Sequence, residues 1–245
     1  MRKSIRWFSN LALAAINAIA VPLLLPVVAL GMAELAQQWG WGLFNIINVP
    51  YLAGFAISFL AFDFVIYVQH RIFHAIPFLW RLHRVHHSDV DLDVSSAVRF
   101  HVIEIFLSMV IKLATVAILG PPVLAVLAFE IYLNGASMFH HANLRLPPRF
   151  DALLRWFIVT PDMHRVHHSV IRTETDSNFS FALPWWDYLL KTYRAQPAAG
   201  HDGMLVGVDV FRDKKDQQLH RLLAQPFING ETSTQDEGSA HAKVT

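Results

Sequence analysis

Four long apolar stretches constrain this chain more than any other feature. They are residues 11–30, 50–69, 102–119 and 123–139. A helix needs about 20 mainly apolar residues to cross the hydrocarbon core of a bilayer, and a kinked or tilted one slightly fewer. Backbone inside lipid must satisfy its own hydrogen bonds, so such stretches fold as helices. The composition agrees, with 54% hydrophobic and only 16% charged residues against roughly 25% charged in a soluble domain. The first stretch follows basic residues, as a signal peptide would. It is long, however, and interrupted by Pro22 and Pro26, with no small-residue cleavage site ahead of a soluble domain, so it reads as a true span.

These features predict an all-α integral membrane protein with four transmembrane helices arranged as two hairpins. Basic residues set its orientation. Arg2, Lys3 and Arg6 precede the first span, and the loop 31–49 has no Lys or Arg. Arg71, Arg81, Arg84 and Arg99 follow the second span, the link at Gly120-Pro121-Pro122 is uncharged, and Arg145, Arg149, Arg155 and Arg165 follow the fourth. Both termini are therefore expected in the cytoplasm, most simply at a bacterial inner membrane. Residues 70–100 and 140–228 would form a helical, histidine-rich cytoplasmic cap on a single membrane-embedded domain, 1–228. The polar stretch 229–245 is expected to be a disordered tail. A net charge of +1 provides no field for nucleic acid. The absence of cysteine excludes disulfides, thiolate-ligated zinc or iron–sulfur sites, and a thiol nucleophile.

Charges inside spans call for a reason. Lys112 lies seven residues before Leu119 and Glu130 seven after Val123, so antiparallel spans bring them to one depth as an ion pair. That pair is either structural or part of a substrate channel. Phe59, Phe62, Phe64, Phe106 and Met109 either line a lipid path or simply pack the spans.

Eleven of the 14 histidines gather at the expected cytoplasmic segments or their membrane edges; His201, His220 and His241 stand outside any cluster. His70 and His74 are spaced i, i+4, which places both on one helix face, a good spacing for chelating a metal. His83-Arg84-Val85-His86-His87-Ser88 is repeated residue for residue at His164-Arg165-Val166-His167-His168-Ser169, and its i, i+3, i+4 pattern puts three imidazoles on one side of a helix. His101, His140 and His141 lie at span ends. One tetrahedral zinc takes at most four ligands, so this many histidines fit two metal ions. Imidazole suits zinc, copper, iron and nickel alike. No metalloprotease HExxH, nucleophile elbow, phosphate loop or dinucleotide fingerprint occurs.

These residues resemble the fatty-acid hydroxylase/sterol desaturase superfamily, and bacterial sterol desaturase-like members in particular. The similarity rests on His70-Arg71-Ile72-Phe73-His74, Trp80-Arg81-Leu82-His83-Arg84-Val85-His86-His87-Ser88 and Arg99-Phe100-His101-Val102-Ile103-Glu104. It continues in Phe139-His140-His141-Ala142-Asn143-Leu144, in Thr160-Pro161-Asp162-Met163-His164 with the repeated hexapeptide, and in Asp176-Ser177-Asn178-Phe179 and Trp186-Asp187. Two positions depart from the usual pattern: Val102 replaces a proline, and Leu190-Lys191-Thr192 replaces Phe-Gly-Thr.

The resemblance implies a membrane non-haem di-iron oxygenase, holding two Fe ions and using O2 as co-substrate to hydroxylate or desaturate a lipid C–H bond. Carried over, its metal ligands would be His70, His74, His83, His86, His87, His141, His164, His167 and His168. His101 and His140 are further candidates, either as ligands or as groups that orient them. Asp63, Glu104, Asn143, Asp176 and Asn178 are candidates for orienting ligand imidazoles. With no flavin, nicotinamide or iron–sulfur motif, electrons would come from a separate reductase or ferredoxin, docked on basic residues such as Arg149, Arg155 and Arg172. Positive-inside topology explains those arginines equally well. The alternatives are a membrane zinc-dependent hydrolase, which needs a carboxylate base beside a metal-bound water, and a non-enzymatic membrane metal-binding protein.

Overall fold

In a computed structural model, which describes residues 3–230, the chain is helical throughout. The only β-type pairing among the described residues is an isolated bridge between Ser169 and Val206. Four elements are long and apolar enough to cross a membrane: 3–46, Tyr51–Ala75, Val102–Leu119 and Val123–His141. The protein is thus an integral membrane protein built from four spans and a helical cap.

The first span is not the uninterrupted helix over 11–30 that hydropathy suggests. Helix α1 runs Lys3–Leu24, the chain breaks at Leu25–Val28, and α2 follows at Ala29–Trp39, with a short α3 at Leu43–Ile46. Pro26 has no amide hydrogen to continue the ladder. The expected loop 31–49 therefore contains two helices. Small residues on α2 explain its fate: Ala29 and Ala33 pack into a core with Phe62, Ile66, Val116, Val126 and Phe129, and small side chains let helices approach closely in lipid.

Helix α4 (Tyr51–Ala75) has 25 residues, about 38 Å at 1.5 Å per residue. That exceeds the roughly 30 Å hydrocarbon core, so the same helix that spans the membrane carries His70 and His74 beyond it. Ile76 and Pro77 break the direction, and α5 (Pro77–His87) begins with proline at its first turn, where a missing amide hydrogen costs nothing. A 3-10 turn at Val94–Val98, capped by Asp93, leads to α6 (Val102–Leu119). Helix α7 (Val123–His141) returns to the cap. The α6–α7 corner depends on glycine. Gly120 has φ +60 and Gly42 φ +87, and a Cβ on Gly42 would sit 2.4 Å from the Gly120 nitrogen. Short helices α8 (Pro148–Leu154), α9 (Pro161–His167), α10 (Arg172–Thr175), α11 (Trp185–Leu189), α12 (Gly200–Gly203) and α13 (Leu219–Ala224) build the rest of the cap. Asn229 and Gly230 belong to the described residues, while the remainder of the expected tail, 231–245, and His241 with it, lies outside them.

The first turns of α1 belong to the cap as well. Arg6, only 1% exposed, bonds Asp89 at 2.9 Å and also pairs with Asp93. Asn10 donates to Asp89 and Ser95 and accepts from the fully buried Arg99. Arg99 donates in turn to Val85 O and Ser88 Oγ at the end of α5. Burial holds the Arg99 guanidinium down to about 10, against the pull of Asp89. Arg6 is therefore more than a topology signal: it ties the N-terminus to the loop behind the first histidine hexapeptide. Breaking a buried pair by removing one partner leaves an uncompensated charge. Arg6→Ala is expected to cost about 3–5 kcal/mol, read as a lowered unfolding midpoint in detergent. A midpoint equal to that of the unaltered protein would refute this role.

Candidate metal centre

Nine buried histidines come together where α4, α5, α7 and α9 meet. The ligand atoms of His70, His74, His83, His87 and His167 lie within 4.8 Å of one another, as do those of His86, His141, His164 and His168. The i, i+4 pair on α4 joins the first group. Each hexapeptide divides between the two groups. His83 and His87 enter the first group and His86 the second; His164 and His168 enter the second and His167 the first. On a helix, i and i+4 project together while i+3 is rotated to the other side of that line. The repeat therefore supplies each group with one i, i+4 pair and one crossing imidazole. The rings of His87 and His168 stack at 4.4 Å where the two hexapeptides meet.

Hydrogen bonds to Nδ1 fix how five of these rings face. His70 Nδ1 lies 2.8 Å from Phe179 O and His167 Nδ1 2.8 Å from Ser177 O. His141 Nδ1 lies 2.7 Å from Ser137 O. A carbonyl only accepts, so each of these nitrogens carries the proton and donates. His83 Nδ1 bonds Glu104 Oε1 at 2.6 Å and His74 Nδ1 bonds Asp176 Oδ1 at 3.1 Å. With the proton on Nδ1, the Nε2 lone pair of a neutral ring points inward. The Nε2 atoms of His70, His74, His83, His87 and His167 have no hydrogen-bond partner among the described residues.

In the second group, Nε2 of His141 lies 3.2 Å from Nε2 of both His86 and His164, and His164 Nε2 lies 3.1 Å from that of His168. Nitrogens held about 2.0–2.1 Å from one ion, at angles from square to tetrahedral, would be about 2.8–3.4 Å apart. Buried lone pairs converging without a donor are costly unless something binds them. Both groups therefore fit a metal ion. Burial holds the His83 imidazole down to about 3. Burial first, and neighbouring imidazoles second, push His86, His87, His164, His167 and His168 well below the ordinary histidine range. Neutral rings are the form a metal requires.

The segment 176–179 orients three of the nine rings: Asp176 holds His74, Ser177 O holds His167, and Phe179 O holds His70. Asn178 has φ +51, a left-handed conformation that asparagine tolerates. Its side chain bonds Met163 O and both main-chain groups of Arg194. Asp187 accepts from the amides of Phe179 and Ser180. Of the five candidates for orienting imidazoles, Glu104 and Asp176 touch a ring.

The other three candidates do not. Asp63 accepts instead from the amides of Ala182 and Leu183 and from Trp186 Nε1, fastening the 180–186 loop to α4. Asn178 shapes its turn, and Asn143 is exposed on a different surface. His101 lies in neither group: its Nδ1 accepts from Ile103 N to cap α6 and its Nε2 donates to Leu223 O. His140 also lies outside both, against Phe181 and His164. The three carbonyl acceptors carry no side-chain signature, so sequence reasoning had no means of finding them.

A cavity of about 380 Å³ reaches the first two histidine helices from between the spans, with His70, His83, His86 and His164 in its wall. Phe100 stacks on His86 at 4.3 Å with the rings nearly parallel. Of the five residues named as a lipid path or as packing, Met109 lines this cavity. Phe59 and Phe62 pack against Phe129, and Phe64 against Trp186.

The fold and site define a membrane-embedded helical bundle with a buried polyhistidine centre suited to metal, and the comparisons with known proteins give its family. It belongs to the fatty acid hydroxylase family, whose model matches residues 55–192. It is 27% identical to alkylglycerol monooxygenase of Homo sapiens over 75% of this chain and 40% of the relative. It is 31% identical to ornithine lipid hydroxylase OlsE of Rhizobium tropici over 67% of this chain and 47% of that protein. The resemblance extends to very-long-chain aldehyde decarbonylase GL1-5 of Oryza sativa subsp. indica, at 30% identity over 53% of this chain and 22% of the relative. The chain thus spans less than half the length of these curated relatives. No solved structure matches it.

Partners that orient a metal-binding imidazole typically change affinity about 10- to 100-fold. Glu104→Ala is expected to lower metal affinity by that factor in a chelator competition, and Glu104→Gln, which keeps an acceptor, to lower it less. Unchanged affinity in Glu104→Ala would show that the His83 contact does not hold the centre.

Proposed function

We propose that this protein is a membrane non-haem di-iron oxygenase that hydroxylates or desaturates a lipid C–H bond. The observation that carries the reading is the nine-histidine double group, five of its rings anchored at Nδ1 with Nε2 turned inward, opening onto a cavity between spans. The names of the relatives, a monooxygenase and a lipid hydroxylase, support it. The ligands would be His70, His74, His83, His87 and His167 for one ion and His86, His141, His164 and His168 for the other. Two bound irons with O2 would supply the oxidant that aliphatic C–H cleavage needs and that acid–base side chains cannot provide. In hydroxylation, two electrons and two protons send one oxygen atom into the product and the other into water.

The chain's own residues do the remaining work. Glu104, Asp176 and the carbonyls of Ser137, Ser177 and Phe179 hold imidazole protons at Nδ1 and so keep Nε2 free. Ile66, Phe73, Phe100, Leu133 and Phe181 give the cavity an apolar wall that favours a hydrocarbon chain and excludes water. A zinc hydrolase would need a free carboxylate base beside the site. Glu104 and Asp176, the carboxylates that touch the rings, are each engaged with an imidazole.

The two electrons would come from a separate reductase or ferredoxin on the cytoplasmic side, an orientation of both termini and the histidines that the distribution of basic residues supports. Trp80 is a candidate point of approach, with its ring 4.8 Å from His74 and 5.3 Å from His87 and Arg172 above it at 4.6 Å. Of the arginines considered for docking, Arg172 is about half exposed and Arg149 exposed. Arg155 is buried against Asp151, which removes it from any docking patch.

His86→Ala and His167→Ala, one from each group, are each expected to abolish O2-dependent oxidation of a lipid extract supplied with a chemical reductant, measured by mass spectrometry as a gain of one oxygen or a loss of two hydrogens. Full activity in either variant would contradict the di-iron reading.

A further inference from the structure

The cavity that touches the histidines also has a polar end. Lys112 and Glu130 both line it, and Lys112 Nζ donates to Glu130 Oε1 at 2.6 Å. Lys112 is eight residues beyond Glu104 on α6, about 12 Å further along the helix. That is near the middle of a span and well removed from the histidines. The pair is not sealed between helices, since its side chains keep 12% and 24% exposure. Around it, Gln69 donates to Ser108 at 2.8 Å while its own carbonyl oxygen is buried with no partner among the described residues. Asn134 Nδ2 is satisfied by Glu130 O, which leaves its carbonyl oxygen available.

Chemistry narrows what would occupy this end. An ammonium has three donors and no acceptor, and Glu130 takes one of them. A plain hydrocarbon would leave the others unmet in a low-dielectric setting, where unsatisfied polar groups are expensive. The pair is neutral as a unit, so a lone ionic headgroup would place an unbalanced charge beside it. A neutral group that both accepts and donates, such as a hydroxyl or secondary amide, can accept from Lys112 and donate to Glu130 at once.

We infer that Lys112 and Glu130 form a recognition subsite, and that the substrate is a lipid bearing a neutral hydroxyl or amide group about 12 Å from the carbon presented to the histidines. The inference rests on the lipid-oxidising reading of the histidine centre. The pair sets specificity and does not touch the reacting atoms.

The test measures binding to the metal-loaded, full-length protein in detergent micelles of fixed composition, with hexadecane, hexadecan-1-ol and its methyl ether as probes. A hydrogen bond to a charged group typically favours the partnered ligand about 10- to 100-fold. The unaltered protein is expected to prefer the alcohol over hexadecane by that factor, with the methyl ether, which accepts but cannot donate, between them. The double variant Lys112→Met, Glu130→Met is expected to bind all three alike, with metal content unchanged. Lys112→Arg, which retains donors, should keep the preference. Equal binding of alcohol and hexadecane by the unaltered protein overturns the subsite, and this comparison needs no variant to fold. A preference that survives in the double variant overturns it too. Binding is read without turnover, so a retained preference with no lipid oxidation would count against the oxygenase reading alone. Oxidation without preference would count against the subsite alone.

Discussion

The structure depends on the direction in which nine buried imidazoles carry their protons. A histidine holds a metal through one nitrogen only if the other is settled, and here backbone carbonyls and two carboxylates settle it for five rings. Without that, the cluster would be a set of buried polar groups that neither water nor protein satisfies, the least tolerable content for a protein interior. The contorted 176–180 segment, the left-handed Asn178, the Asp187 clamp on its amides and the Arg6–Asp89–Arg99 network behind α5 all serve to hold those acceptors and the helices that meet them.

The membrane supplies the other half of the design. Helix α4 is longer than the hydrocarbon core, so one rigid element joins the apolar cavity to the first two histidines. Helix α7 ends in His141 and α6 opens beside Glu104, so three spans each deliver one part of the centre to the same level. In the proposed function, a lipid held between spans would reach the histidine centre without leaving its apolar surroundings.

Much of this was legible in the sequence. The four apolar stretches and the proline–glycine punctuation marked the spans, and the spacing of His70, His74 and the repeated hexapeptide marked helix faces rich in imidazole. The Lys112–Glu130 pair followed from equal depth in antiparallel helices and is present at 2.6 Å. What could not be read depends on backbone and tertiary placement. The carbonyls of Ser137, Ser177 and Phe179 carry no residue-specific signal, and the exchange of His86 and His167 between the two groups requires knowing how two helices cross. Asp63 and Asn178 looked like partners for imidazoles because they stand near the histidine motifs, yet both hold loop backbone. Arg6 and Arg155 looked like surface charges because arginine is seldom buried without a partner, and their partners lie far away in sequence or on a short helix turn. Hydropathy runs on through Pro22 and Pro26, whereas the helix continues through Pro22 and breaks around Pro26.

Elemental analysis of the detergent-purified protein from iron-supplemented cells tests the central claim most directly, as metal atoms per chain. Two converging sets of neutral imidazoles predict about two metal ions per chain, and the proposed oxygenase reading predicts that they are iron. A content of one zinc per chain, or no metal retained at all, would contradict the account.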